Sequence, residues 1–286
     1  MQDVSGVGRC SATVALPVLS SGGLACALLP TALLSAHTGG FGPVHRRDLT
    51  EDMSLTLSHW FGLGLRFDAV YVGYAASARQ LELLRDALPR LLKPEGLLFV
   101  DPVMGDAGRR YSYCDEALRA GFLGLCARAD VIFPNRTEAA LLLGAPVTAG
   151  GDPPPPAPGA LTGLGCKAAV LTGLLDGAGG IGVRAEEKGS SAYETFRPRY
   201  PGAYPGTGDL LASAVISAVM AGASLPAACE LACDFLDASF ASTARFGGEA
   251  RHGLAFEPAL HTFGRRVYEA FRHDETAETE QPPCKA

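Results

Sequence analysis

Long apolar runs are missing from this chain of 286 residues. The nearest to one, Leu210 to Met220, is broken by serines and leads into Gly222 and Pro226, so it reads as a buried helix and not as a membrane span. A basic cluster is missing as well. With 24 Lys and Arg against 30 Asp and Glu, a net charge of −6 and a pI near 5.5, the chain does not suit electrostatic binding of nucleic acid. The first ten residues contain Asp3 and Arg9 in place of a basic-then-apolar leader, which gives the expectation of a cytoplasmic protein. There is no internal repeat.

Eight cysteines are scattered along the chain, several in apolar surroundings such as Cys26 and Cys126; the expectation is reduced thiols, mostly buried. Cys229 and Cys233 lie four apart in a helical segment rich in Ala and Leu. No nearby Cys or His pair completes a four-ligand site, so they read as core residues.

What is present is the composition of a globular protein, 48% hydrophobic and 19% charged, large enough to bury a sizeable core. Short apolar runs at 67–71, 96–100, 131–133 and 168–171 read as strands buried on both faces. Between them, 77–92, 115–128 and 137–143 carry apolar residues at helical spacing. This alternation implies an α/β fold with a mostly parallel sheet, whose ligands bind beyond the carboxyl ends of the strands, where Tyr74, Asp101 and Asn135 fall. Residues 149–161, with Gly-Gly-Asp and four consecutive prolines, read as an exposed loop. The expected organisation is a single domain over 1–265, followed at 266–286 by a helix end and a disordered acidic tail.

Three motifs gather at that strand edge. Gly206-Thr207-Gly208-Asp209 precedes an apolar helix, an arrangement that aims backbone N–H groups at an anion and places a carboxylate beside it. Asp209 then reads either as a general base for phosphoryl transfer or as a helix cap after a glycine turn. Asp101-Pro-Val-Met-Gly-Asp106 offers two carboxylates to a hard cation, and Asn135-Arg-Thr-Glu138 adds an amide and a third carboxylate. Taken singly, Asp101 and Asn135 equally suit a turn residue and a helix cap.

In order, these motifs resemble those of the ribokinase-like superfamily of small-molecule kinases, and specifically its vitamin B6 branch. Gln2-Asp3-Val-Ser5-Gly-x-Gly8-Arg-Cys10-Ser11, His37-Thr38-Gly39-Gly40-Phe41 and Tyr71-x-Gly73-Tyr74 extend the likeness over positions 1 to 260. The resemblance implies a three-layer sandwich, with helices on both faces of the sheet, that phosphorylates the 5′-hydroxymethyl group of pyridoxal, pyridoxamine or pyridoxine with ATP. It implies Asp209 as base and Gly206, Thr207 and Gly208 as the anion hole. Asn135, Glu138, Thr172 and Gly173 fall on the nucleotide side. Asp3, Ser5, Thr38, Tyr74 and Asp209 face the vitamer, and Asp101, Asp106 and Glu138 are implied near Mg2+. Relatives commonly form homodimers.

Two departures stand out: Met1 directly precedes Gln2-Asp3, so the first strand begins short, and Phe133 stands where some relatives carry a threonine that helps hold a monovalent cation such as K+. His37 is placed outside the catalytic set. The alternatives are a kinase of hydroxymethylpyrimidine or another small molecule, a catalytically inactive B6-binding relative, and a nucleoside-binding scaffold.

Overall fold

Runs of branched and aromatic residues form the strands, and amphipathic runs between them form helices that cover both sheet faces. The computed structural model describes residues 1–271; the expected acidic tail lies outside them. In chain order the elements are β1 Gln2–Ser5, α1 Ala12–Ser21, β2 Pro30–Leu34, β3 Arg46–Asp48, α2 Thr50–Gly62, β4 Phe67–Val72, α3 Ala78–Leu91 and β5 Leu92–Val100. There follow β6 Gly105–Asp106, β7 Arg109–Arg110, α4 Glu116–Cys126, β8 Val131–Ile132, α5 Arg136–Leu142, β9 Ala168–Leu175, β10 Gly180–Glu187, β11 Tyr193–Pro198, α6 Thr207–Met220, α7 Leu225–Phe246 and α8 Leu260–Phe271.

Six strands hydrogen-bond in the order β11-β10-β9-β8-β5-β4, and three more in the order β1-β2-β3. The two sets meet where the Met1 amine donates to the Tyr71 carbonyl at 2.6 Å and the Gly73 amide donates to the Met1 carbonyl at 3.0 Å. β1 therefore runs beside β4 in the middle of one continuous surface. The pairs β4·β5, β5·β8, β8·β9 and β1·β2 are parallel, while β9·β10, β10·β11 and β2·β3 are antiparallel.

Period-two alternation sorts the strand side chains between two cores. Phe99, Val131, Phe133 and Val170 pack with α1, α6, α7 and α8, whereas Leu98, Val100, Ile132 and Leu171 pack with α3, α4 and α5. Phe133 is 3% exposed and stacks on Phe99 at 6.4 Å. Its ring is committed to the first core.

Two sequence expectations need correction, and a third holds with an addition. The strand at 168 does not end at Leu171 but runs to Leu175, with a bulge where Gly173 (φ 75°) lets β9 stay paired with β10. Cys26 is exposed, because it falls in the connection from α1 to β2 and not in an element; Cys114, Cys126, Cys166, Cys229 and Cys233 are buried. The loop at 149–161 is exposed for most of its length but tethered: the Arg184 guanidinium donates to the Pro156 carbonyl at 2.8 Å, and the Gly159 amide to Glu186 Oε2 at 2.8 Å.

Candidate active site

The carboxylate of Asp209 is the focus of the strand edge. Asp209 is the third residue of α6, whose cap is Gly206 (φ 83°); it is therefore not the helix cap. Its side chain is 8% exposed and turns into the fold. Oδ2 accepts the Ser11 amide at 2.8 Å and the Cys10 thiol at 3.5 Å, while Oδ1 has only Gln2 Nε2, at 3.4 Å. One oxygen is thus anchored and the other is nearly free. Burial outweighs these donors and the charge of Asp3 adds to it, so the Asp209 pKa is pushed up to about 6.

The turn that delivers Asp209 leaves no spare room on its inner side. A Cβ on Gly206 would stand 2.0 Å from the Arg9 carbonyl oxygen, so the backbones of 9–10 and 205–206 touch. On the outer side a Cβ on Gly208 would meet nothing within 4 Å. The amides of Thr207 and Gly208 have no intrahelical acceptor, as expected of the first turn. Open space above unpaired amides at a helix start suits a phosphate.

Around this point burial has gathered carboxyl groups. Asp101 and Glu138 are 7% and 4% exposed. Burial, together with the charge of Asp209 on Asp101 and of Asp101 on Glu138, holds both carboxyls well above their usual range. Among the described residues no Lys or Arg forms an ion pair with Asp101, Asp106, Glu138 or Asp209. The expected trio of Asp101, Asp106 and Glu138 does not close into a three-ligand metal site. Glu138 Oε1 and Oε2 already accept the amides of Met104 (3.1 Å) and Asn135 (2.9 Å), and Asp106 is exposed on the tip of the β6–β7 hairpin. An all-oxygen, uncompensated set of this kind fits Mg2+, which takes one or two carboxylates and completes its shell with water and phosphate oxygens.

Asn135 does cap α5: its Oδ1 accepts the Glu138 amide at 2.9 Å, in a reciprocal capping box, and its Nδ2 donates to the Gly105 carbonyl at 2.8 Å. Thr172 bridges to Asn135, and Gly173 follows it at the β9 bulge. The remaining expected residues line the β1 side. Ser5 Oγ donates to Asp3 Oδ2 at 3.0 Å, and burial pushes the Asp3 carboxyl up. Tyr74 lies edge-on to Tyr113 at 5.2 Å, with Arg46 over both rings; burial pushes its phenol up to about 12. Thr38 is exposed, in the turn that packs against Pro205. His37 is 4% exposed: its Nδ1 accepts the Gly39 amide, so its proton is on Nε2 and is donated to the Arg251 carbonyl at 2.7 Å. That is a structural tie between two loops.

Gln2, Cys10 and Ser11 were missed as site residues. Gln2 Oε1 accepts the Tyr74 amide at 3.2 Å, which turns Nε2 toward Asp209, and Gly73 leaves the space: a Cβ there would stand 2.2 Å from the Gln2 amide. Ser11 has φ 51°, and its amide holds the Asp209 carboxylate. Outside glycine only Ala107 shares a positive φ among the described residues. An order of glycines and polar residues near the start of the chain is all the sequence shows of this arrangement.

Known proteins resemble the chain over most of its length. Residues 23–253 match the phosphomethylpyrimidine kinase family. A pyridoxine/pyridoxal/pyridoxamine kinase of Bordetella avium (strain 197N) is 30% identical over 250 residues, 82% of this chain and 81% of that one. Pyridoxal kinase from Lactobacillus plantarum superposes with a TM-score of 0.84 at 33% identity, covering 93% and 96% of the two chains. A Bacteroides thetaiotaomicron VPI-5482 protein solved with pyridoxal in an orthorhombic crystal gives 0.83 at 34% identity, covering 92% and 93%. The chain belongs to the phosphomethylpyrimidine kinase family and, within the ribokinase-like superfamily, to its vitamin B6 kinase branch.

Proposed function

We propose that this chain transfers the γ-phosphoryl group of ATP to the 5′-hydroxymethyl group of pyridoxal, pyridoxamine or pyridoxine. The observation that carries the reading is the buried Asp209, with one oxygen anchored and one nearly free, beside unpaired amides at the start of α6. Oδ1 takes the hydroxyl proton as the substrate oxygen bonds to the γ-phosphorus; the bond from that phosphorus to the bridging oxygen breaks and ADP leaves. The amides of Thr207 and Gly208 hold the charge that develops on the phosphoryl oxygens. Asp3, Ser5, Thr38 and Tyr74 orient the vitamer; Asn135, Thr172 and Gly173 lie along the nucleotide. Asp101 and Asp106, with Glu138 fixing the chain between them, would hold hydrated Mg2+, which neutralises phosphate charge when bound. The reading extends to a single domain over 1–265, a homodimer and a cytoplasmic location. Sedimentation tests the dimer.

The deciding experiment incubates purified protein with ATP, Mg2+ and, separately, the three vitamers and hydroxymethylpyrimidine, and weighs the products. A phosphorylated vitamer supports the reading; phosphorylated hydroxymethylpyrimidine alone replaces it with the alternative small-molecule kinase. Binding of a vitamer without product identifies an inactive relative.

The raised Asp209 pKa sets the acid limb of the pH profile. The base works only when ionised, so kcat/KM should fall about tenfold per pH unit below about pH 6. A limb near pH 4, the value of an unperturbed carboxylate, would contradict the geometry.

A further inference from the structure

The proline-rich excursion between α5 and β9 has no part in the reaction as written, yet its first residues lie against the hairpin that carries Asp106. Thr137 is fully buried, and its Oγ1 accepts the Gly108 amide at 2.9 Å. The single hydroxyl proton is then free to go to Asp152 Oδ1, 3.3 Å away. Arg136 Nη2 donates to the Asp152 carbonyl at 3.0 Å and lies 3.7 Å from Oδ2. Backbone contact reinforces the relay: at Gly108 (φ 73°) a Cβ would stand 2.2 Å from the Gly151 carbonyl oxygen and 2.5 Å from that of Thr148.

The far end of the excursion is held by Arg184 and Glu186, which are 9% and 4% exposed. Four consecutive prolines, each with a fixed φ, run from Asp152 to the far anchor at Pro156. The segment is therefore a stiff strut from β10 to the hairpin. The hairpin itself has little of its own to hold it: two residues per strand around Ala107 and Gly108, both with φ > 0.

We propose that Asp152 is a positioning residue for the transfer reaction: through the Thr137 hydroxyl it holds the 105–110 hairpin, and with it Asp106, in its working orientation on the metal and phosphate side. The proposal rests on the kinase reading for the role of Asp106, but the mechanical link stands on its own contacts. A loop that merely covered α5 would affect stability without separating one substrate from the other.

The test uses the full chain. Asp152→Ala and Thr137→Val each break the relay, while Thr137→Ser and Asp152→Asn each keep a hydroxyl or an acceptor in place. Amide exchange at 105–110, followed by mass spectrometry, should quicken about tenfold in the first pair and stay at the wild-type rate in the second. KM for MgATP should rise about three- to tenfold in the first pair, with kcat and KM for pyridoxal within about twofold. The double variant Asp152→Ala/Thr137→Val should be no worse than Thr137→Val alone, because both act on one relay. Unchanged exchange at 105–110, or a failure of Thr137→Ser to retain wild-type behaviour, overturns the proposal. So does a parallel change in both KM values. Should no vitamer be phosphorylated by the wild type, the exchange arm still decides the strut, and only the catalytic reading of Asp106 falls.

Discussion

Asp209→Asn should lower kcat with B6 vitamers by about two to four powers of ten, the usual contribution of a positioned general base, and leave ATP affinity within about twofold. The amide keeps the shape of the side chain and an oxygen for the Ser11 amide but cannot take a proton from an alcohol. Folding stability should move the other way. Asp209 has a native pKa of about 6 against 3.8 as its reference; between those values the folded chain keeps a proton that the unfolded chain releases. Stability conferred by that proton is present below about pH 4 and lost as pH rises through about 6. At pH 7.5 the ionised group weakens the fold, and Asn relieves it. The expected pair of results is therefore a nearly inactive protein whose melting temperature is at or above that of the wild type. Turnover within a factor of three of wild type would remove Asp209 from the mechanism.

Gly206→Ala should be the most damaging of the glycine changes. The residue combines a φ of 83° with a Cβ position 2.0 Å from the Arg9 carbonyl oxygen, so both the backbone and the space oppose a side chain. The turn must move, and the amides of Thr207 and Gly208 move with it. Loss of an anion-hole donor lowers kcat by about two to three powers of ten, and the clash lowers the denaturation midpoint too. Gly208→Ala is the informative comparison, since its Cβ would meet nothing within 4 Å: the melting temperature should hold while MgATP affinity drops, because the methyl group occupies space meant for phosphate. Equal melting temperatures for the Gly206→Ala variant and the wild type would show that the contact with Arg9 gives way freely.

The parts of the fold that sequence periodicity reveals are those held by long-range burial. The run at 67–71 became β4, and the runs at 77–92 and 115–128 became α3 and α4 within one to two residues at each end. The β6–β7 hairpin left no such trace: its strands are two residues long and depend on Thr137 and Asn135 from another element. Glu138 shows what residue type alone leaves out. A carboxylate in a polar motif reads as a metal ligand; that both oxygens also accept backbone amides is visible only once Met104 and Asn135 are in space. Asp209 was legible because glycine turns and helix starts are written locally; its partners Gln2, Cys10 and Ser11 were not, because each contact spans about 200 residues of chain.

That separation bears on how the protein comes to life on a ribosome. Asp209 is emitted late and the Ser11 amide that holds it early, so a growing polypeptide cannot assemble this cluster until α6 has emerged and docked on α1. The cluster around Asp209 thus forms only once the fold is nearly complete.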